Sequence, residues 1–188
     1  MTIYYLHGFN SDGDSWKATA LAKHFPRAAV HAPDLPADPA GVMRQLTAMI
    51  GEVAEDTVFF GTSLGGFYAL CLSAYYARPA FLFNPSLIPH ETLHRGIGEW
   101  TTFTKQRPYH FKSAYLPVLE GQYTAYRQNI DPALLHFFLA EDDDILDLSS
   151  IPQTYPNAAT LRWYPNTGHR FDKFERALRD IKKAGLLG

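Results

Sequence analysis

The sequence holds one cysteine, Cys71, in 188 residues, so an intrachain disulfide is excluded and nothing points to an oxidising compartment. Cys71 falls in the apolar run "YALCLSAYY", where a small buried side chain is expected. Charge of one sign is equally scarce. The formal net charge is −2, and no basic run or patch stands out, which argues against nucleic acid or an anionic membrane as partner. No stretch is long and apolar enough to span a bilayer. The opening "MTIYYLHGF" has neither a charged leader nor a long apolar run, so a soluble cytoplasmic protein is expected. Internal repeats, low-complexity tracts and linkers are absent, which predicts one domain over residues 1–188.

What is present is apolar and aromatic. Hydrophobic residues make up 46% and charged residues 19%, the balance of a folded chain. Six short apolar runs read as strands: "TIYYLHG" (2–8), "AAVHAP" (28–33), "TVFFG" (57–61), "PAFLFN" (79–84), "LLHFFLA" (134–140) and "ATLRWY" (159–164). Most are continuously hydrophobic instead of alternating, as in strands covered on both faces. Helical stretches lie between them near 14–25, 39–54, 64–77 and 171–184. The last sets Phe171, Phe174, Leu178 and Ile181 on one stripe. Strand–helix alternation predicts an α/β protein of about six mostly parallel strands with helices on both faces. Residues 86–131 break the rhythm with prolines, tyrosines and mixed helical pieces, and are expected to form a small helical cap inserted over one end of the sheet.

Two short motifs compete for the chemistry. Gly61-Thr62-Ser63-Leu64-Gly65 matches G-x-S-x-G, and His90-Glu91-Thr92-Leu93-His94 matches the H-E-x-x-H of zinc peptidases. Random placement of these residue types yields the first about 4% of the time and the second about 1%, so rarity alone favours zinc. Context favours the serine. A strand runs straight into Gly61 and a helix leaves Leu64, the strand–turn–helix that a nucleophile elbow requires. Zinc needs a third ligand and an open position. The metzincin extension would put Gly and His where Ile97 and Trp100 stand, and Glu120 lies in no second half-motif. No metal is expected.

A serine hydroxyl is a poor nucleophile at neutral pH, so a histidine must take its proton and an acid must orient that histidine. The acid and then the histidine are expected in loops after later strands. "EDDDILD" follows the fifth strand and "PNTGHRF" the sixth, giving His169 as base and Asp143 as acid, with Asp142 and Asp144 as alternatives and Asp147 a more distant one. The Leu64 N–H at the helix start and the Phe9 N–H in "YLHGFNS" are the expected oxyanion donors. His7, preceding that turn, is expected to be structural. Trp100, Phe103, Tyr109 and Tyr123, with Phe111, Tyr115 and Tyr126, are expected either to wall an acyl pocket or to pack the cap onto the sheet.

The chain resembles the α/β-hydrolases, and among them the small bacterial esterases of the YqiA type. The matching stretches are "YLHGFNS" with "SWKA", then "PDLP", "GTSLGGFYA", "FNPS" with Pro89, Glu91 and Leu93, "DDDILD", and "GHRF" with "FE". They span nearly the whole chain. The resemblance implies a triad of Ser63, Asp143 and His169, and makes Pro89, Glu91 and Leu93 a retained frame around which His90 and His94 are incidental. This sequence departs from the family in carrying acids on both sides of Asp143, where a glycine often precedes it. The expected function is that of a serine esterase acting on a small-molecule acyl ester without a cofactor, or an acyl thioesterase on the same residues. A non-catalytic binding module on a hydrolase scaffold and a zinc hydrolase using "HETLH" are the readings from other classes.

Overall fold

A computed structural model describes residues 1–187; Gly188, the last residue of the expected domain, lies outside the described residues. Six parallel strands form the main sheet, in spatial order β2 (Ala29–His31), β1 (Thr2–Leu6), β3 (Thr57–Thr62), β4 (Ala80–Phe83), β7 (Leu135–Ala140) and β8 (Thr160–Tyr164). Every residue of β3, β4 and β7 is buried, which is why these runs read as continuously apolar. Alternate side chains go to opposite faces. Tyr4, Leu6, Phe59, Leu82, Phe137 and Leu139 pack with α2 (Pro39–Ile50), α3 (Leu64–Tyr76) and α5 (Leu116–Arg127). Ile3, Tyr5, Phe60, Phe81, Phe83 and Phe138 pack on the other face, against α1 (Trp16–His24) and α7 (Phe174–Lys183).

The helix ends follow local chemistry. The Asp38 carboxylate accepts from the Ala40 and Gly41 N–H groups and Pro39 occupies the first turn, so α2 starts as the sequence predicts. It stops at Ile50, short of the expected residue 54, because Gly51 turns left-handed with φ 58°. The last helix also starts later than its apolar stripe. Residues 168–173 make consecutive turns, with Phe171 at φ 55°, yet Phe171 is fully buried on the face it shares with Phe174, Leu178 and Ile181.

The segment between β4 and β7 is not wholly helical. It holds the single-turn α4 (Pro89–Thr92), an antiparallel hairpin of β5 (Gly98–Thr101) and β6 (Pro108–Phe111), and then α5; the short α6 (Ile151–Thr154) lies farther on. The hairpin turns Tyr109 and Phe111 inward, where both meet the Phe9 ring edge to face at 5.2 and 5.4 Å. It therefore stands over the carboxyl end of β1 and next to the end of β3.

Candidate active site

Ser63 joins β3 to α3 in a conformation that L-residues seldom adopt, φ 54° and ψ −121°. Such a backbone costs of order 1 kcal/mol and persists only where its surroundings enforce it. Here the Ser63 N–H donates to Phe83 O (3.1 Å), and the Ser63 carbonyl accepts from Gly66 N (2.9 Å) and Ser86 N (3.0 Å). The helix can start this close to the sheet only without side chains at its second and third positions. A Cβ on Gly65 would lie 2.0 Å from Leu6 O, and one on Gly66 would lie 2.7 Å from Pro85 Cβ.

The loop after β8 brings His169 over this turn. Its Nε2 is 3.0 Å from Ser63 Oγ, and its Nδ1 is 3.0 and 2.9 Å from the two Asp143 oxygens. A carboxylate only accepts, so Nδ1 carries the hydrogen and Nε2 is left to accept from the Ser63 hydroxyl. Asp143 is held in its turn: Oδ1 accepts from Ile145 N (2.9 Å) and Leu146 N (2.8 Å), and the side chain is 2% exposed. The other acids serve elsewhere. Asp142 accepts from Thr167 N at 2.8 Å, a bond that lowers its pKa and braces the His169 loop. Asp144 is exposed, and Asp147 accepts from Ser149 N (2.9 Å).

Two residues that sequence reasoning passed over hold the loops in place. Asn84, fully buried with φ 42°, donates from Nδ2 to Gly168 O (3.0 Å) and His169 O (3.1 Å) and accepts from Ala140 N (2.7 Å). It thereby ties the histidine loop to the end of β7, where the acid loop begins. The only sequence signal is its place in "FNPS". Asp12, also fully buried, fastens the hairpin turn to the loop after β1: it accepts from Thr104 N, Lys105 N and both Nε and Nη2 of Arg107. His7 in that loop is a strut. Its Nε2 accepts from Leu35 N (3.0 Å), so Nδ1 must be protonated and donates to Gly8 O (2.9 Å), while burial lowers its pKa.

Ser63, His169, Phe9 and Leu64 line one cavity of about 770 Å³. Neither the Phe9 nor the Leu64 N–H makes a hydrogen bond among the described residues. Trp100 and Phe103 line the cavity, 41% and 73% exposed. Tyr109 and Tyr123 do not, which corrects the expectation for both. Tyr109 is drawn into the core beneath Phe9, and Tyr123 lies against His90 with ring centroids 4.9 Å apart. Phe111, Tyr115 and Tyr126 likewise pack within the fold.

With this geometry in place, the family model for an uncharacterised protein family, UPF0227, matches residues 2–184. The chain belongs to UPF0227. Solved structures share the fold of this UPF0227 member at low identity. Est1E from Butyrivibrio proteoclasticus has a TM-score of 0.73 at 14% identity, over 98% of this chain and 86% of that one. Alpha/beta hydrolase domain-containing protein 10 from mouse has a TM-score of 0.68 at 14% identity, over 97% and 88%. The monoacylglycerol lipase of Paleococcus ferrophilus has a TM-score of 0.70 at 11% identity, over 95% and 92%. The fold is that of the α/β-hydrolases.

In this UPF0227 chain the "HETLH" stretch does not form the helix that the zinc motif needs. The α-helix ends at Thr92 and tightens into a 3-10 turn over Leu93–Gly96, so His90 and His94 are not successive residues of one α-helical face. His94 is exposed, while His90 is largely buried against Tyr123. Among the described residues no three His, Cys, Asp or Glu side chains are grouped so that they could hold a metal ion, and no helix is long and apolar enough to cross a membrane.

Proposed function

We propose that this chain hydrolyses carboxylic esters through an acyl-enzyme formed on Ser63. The observation that carries the reading is the Ser63–His169–Asp143 hydrogen-bond chain, with 3.0 Å and 2.9 Å links, built on a serine of positive φ at a strand–helix turn. His169 Nε2 takes the Ser63 proton as Oγ attacks the ester carbonyl. Asp143 holds the tautomer that leaves Nε2 free and stabilises the imidazolium. The Phe9 and Leu64 N–H groups receive the oxyanion, a contribution of several kcal/mol in such sites. The imidazolium then protonates the departing alkoxide, and water, deprotonated by His169, releases the acid by the same route. Residues 86–131 act as the cap, with Trp100 and Phe103 walling the acyl side. An acyl thioester presents the same carbonyl to the same nucleophile.

Support comes also from structural neighbours, which include an esterase domain from Rhodothermus marinus and the monoacylglycerol lipase of Paleococcus ferrophilus. The test is labelling by a fluorophosphonate probe together with hydrolysis of p-nitrophenyl esters of several acyl lengths. Wild type is expected to label and turn over, and Ser63→Ala to do neither. Turnover that survives in Ser63→Ala, or is lost on chelation, overturns the reading.

A further inference from the structure

Lys17 is 7% exposed, and a lysine is almost never buried this deeply without a carboxylate partner. It lies in the first turn of α1, on the wall of the cavity that holds Ser63 and His169. Its Nζ donates to Arg170 O at 2.5 Å and sits 5.2 and 5.7 Å from the Trp16 and Phe174 ring centroids. Among the described residues no carboxylate oxygen lies within 4.0 Å of it. An ammonium carries three N–H donors, and the protein uses one. Burial, and next the Arg170 charge, lower its pKa to about 8 despite Asp172, so the ion is present at neutral pH but poorly compensated.

The cavity lining mixes apolar and charged side chains. Leu93, Trp100, Phe103 and Ile145 supply apolar surface, and Arg95 is committed to Ile145 O (2.8 Å). Lys17, with the Trp16 ring beside it, Arg170 and Asp172 carry one positive charge in excess; Asp144, also in the lining, is exposed. We propose that Lys17, assisted by Arg170, binds an anionic group of the substrate, so that the ester cleaved at Ser63 carries an apolar arm and a carboxylate or phosphate. The inference rests on the Ser63 reading and adds the class of ester to it. A buried ammonium with spare donors is a site that an anion stabilises far more than a neutral group does.

Two matched pairs test it: p-nitrophenyl hexanoate against mono-p-nitrophenyl adipate, and monohexanoylglycerol against its phosphate. The first places the anion on the acyl side and the second on the alcohol side. Wild type is expected to prefer the anionic member of at least one pair by about tenfold in kcat/KM, chiefly through KM. Lys17→Met should bring that ratio near unity, Lys17→Arg should restore much of it, and Arg170→Gln, at an exposed position, should lower it by about threefold. A preference for the neutral member in both pairs overturns the proposal. So does a Lys17→Met enzyme that loses activity on both members alike, since that marks a mere clamp on the Arg170 carbonyl. Calorimetry with adipate and glycerol phosphate on the full-length wild type and Lys17→Met proteins separates the two readings. Lys17-dependent binding without fluorophosphonate labelling would retire the Ser63 mechanism and leave the anion site standing. Absence of binding together with absence of turnover overturns both.

Discussion

Asp12 sets a stability test whose size can be worked from its contacts. One carboxylate serves four donors: Arg107 Nε (3.0 Å) and Nη2 (2.7 Å) on Oδ1, and Thr104 N (3.0 Å) and Lys105 N (2.9 Å) on Oδ2. Asparagine in its place keeps one acceptor oxygen, so either the guanidinium or the two amides face an N–H₂ group. Two charge-assisted hydrogen bonds are lost, each worth about 1.5–3 kcal/mol, and water at the 37% exposed Arg107 recovers part. Asp12→Asn should therefore destabilise by about 2–4 kcal/mol and lower the Tm by roughly 5–15 °C for a chain of this size. Asp34→Asn, at a side chain 30% exposed, should cost well under half of that. The pH dependence has a definite sign. Burial alone would raise the Asp12 carboxyl, but hydrogen bonds from the Lys105 N–H, the Arg107 guanidinium and the Thr104 N–H overcome it and bring the pKa down to about 2. Its contribution is thus present above the unfolded-state value near 4 and is lost as pH falls through 2. Thermal melts followed by circular dichroism measure both. A Tm shift under about 2 °C at pH 7, or an Asp12→Asn protein that keeps the wild-type loss of stability below pH 4, would refute the account.

Substitutions at the acid and in the core give two further outcomes. Asp143→Asn should lower kcat by about a thousandfold, because an amide facing Nδ1 favours the tautomer with hydrogen on Nε2; Asp142→Asn keeps an acceptor for Thr167 N and should cost far less. Steady-state kinetics on one ester ranks them, and the reverse order would assign the acid wrongly. His136, stacked on Phe81 at 4.4 Å, has its pKa lowered by burial to about 4. The unfolded chain then takes the proton first, so stability holds above pH 6.5 and falls by up to about 2 kcal/mol toward pH 4. Denaturant titrations of wild type and His136→Gln should diverge in that window, and parallel curves would sink the assignment.

The parts legible in the sequence are those governed by neighbours along the chain. Strands β3, β4 and β7 announce themselves because both faces are buried, so their side chains are mostly apolar, with Thr57, Thr62 and His136 the exceptions. The hairpin stayed hidden because β5 is almost wholly exposed and β6 alternates over only four residues, too short for a period to register. Ser63, Asp143 and His169 could be named since each lies just past a strand, and the structure brings them within hydrogen-bonding distance. The roles of Asp12 and Lys17 were not legible, because their partners lie 95 and 153 positions away. Tyr109 and Trp100 look alike as letters and, as partners across the hairpin, lie on one face of it and both touch Phe9; contacts elsewhere in the fold separate them, leaving Tyr109 buried and Trp100 41% exposed with its Nε1 donating to Gly96 O.

The missing methyl at position 65 has a consequence for drift in sequence. Because the first turn of α3 rests on the bare main chain of Leu6 and His7, the gap between the amides of residues 9 and 64 is gauged by backbone touching backbone. Phe9 and Leu64 are fixed by their own packing, under the hairpin and in the core, but a side chain added at 65 would push against main chain that cannot repack, so tolerance to substitution should collapse first at the glycine.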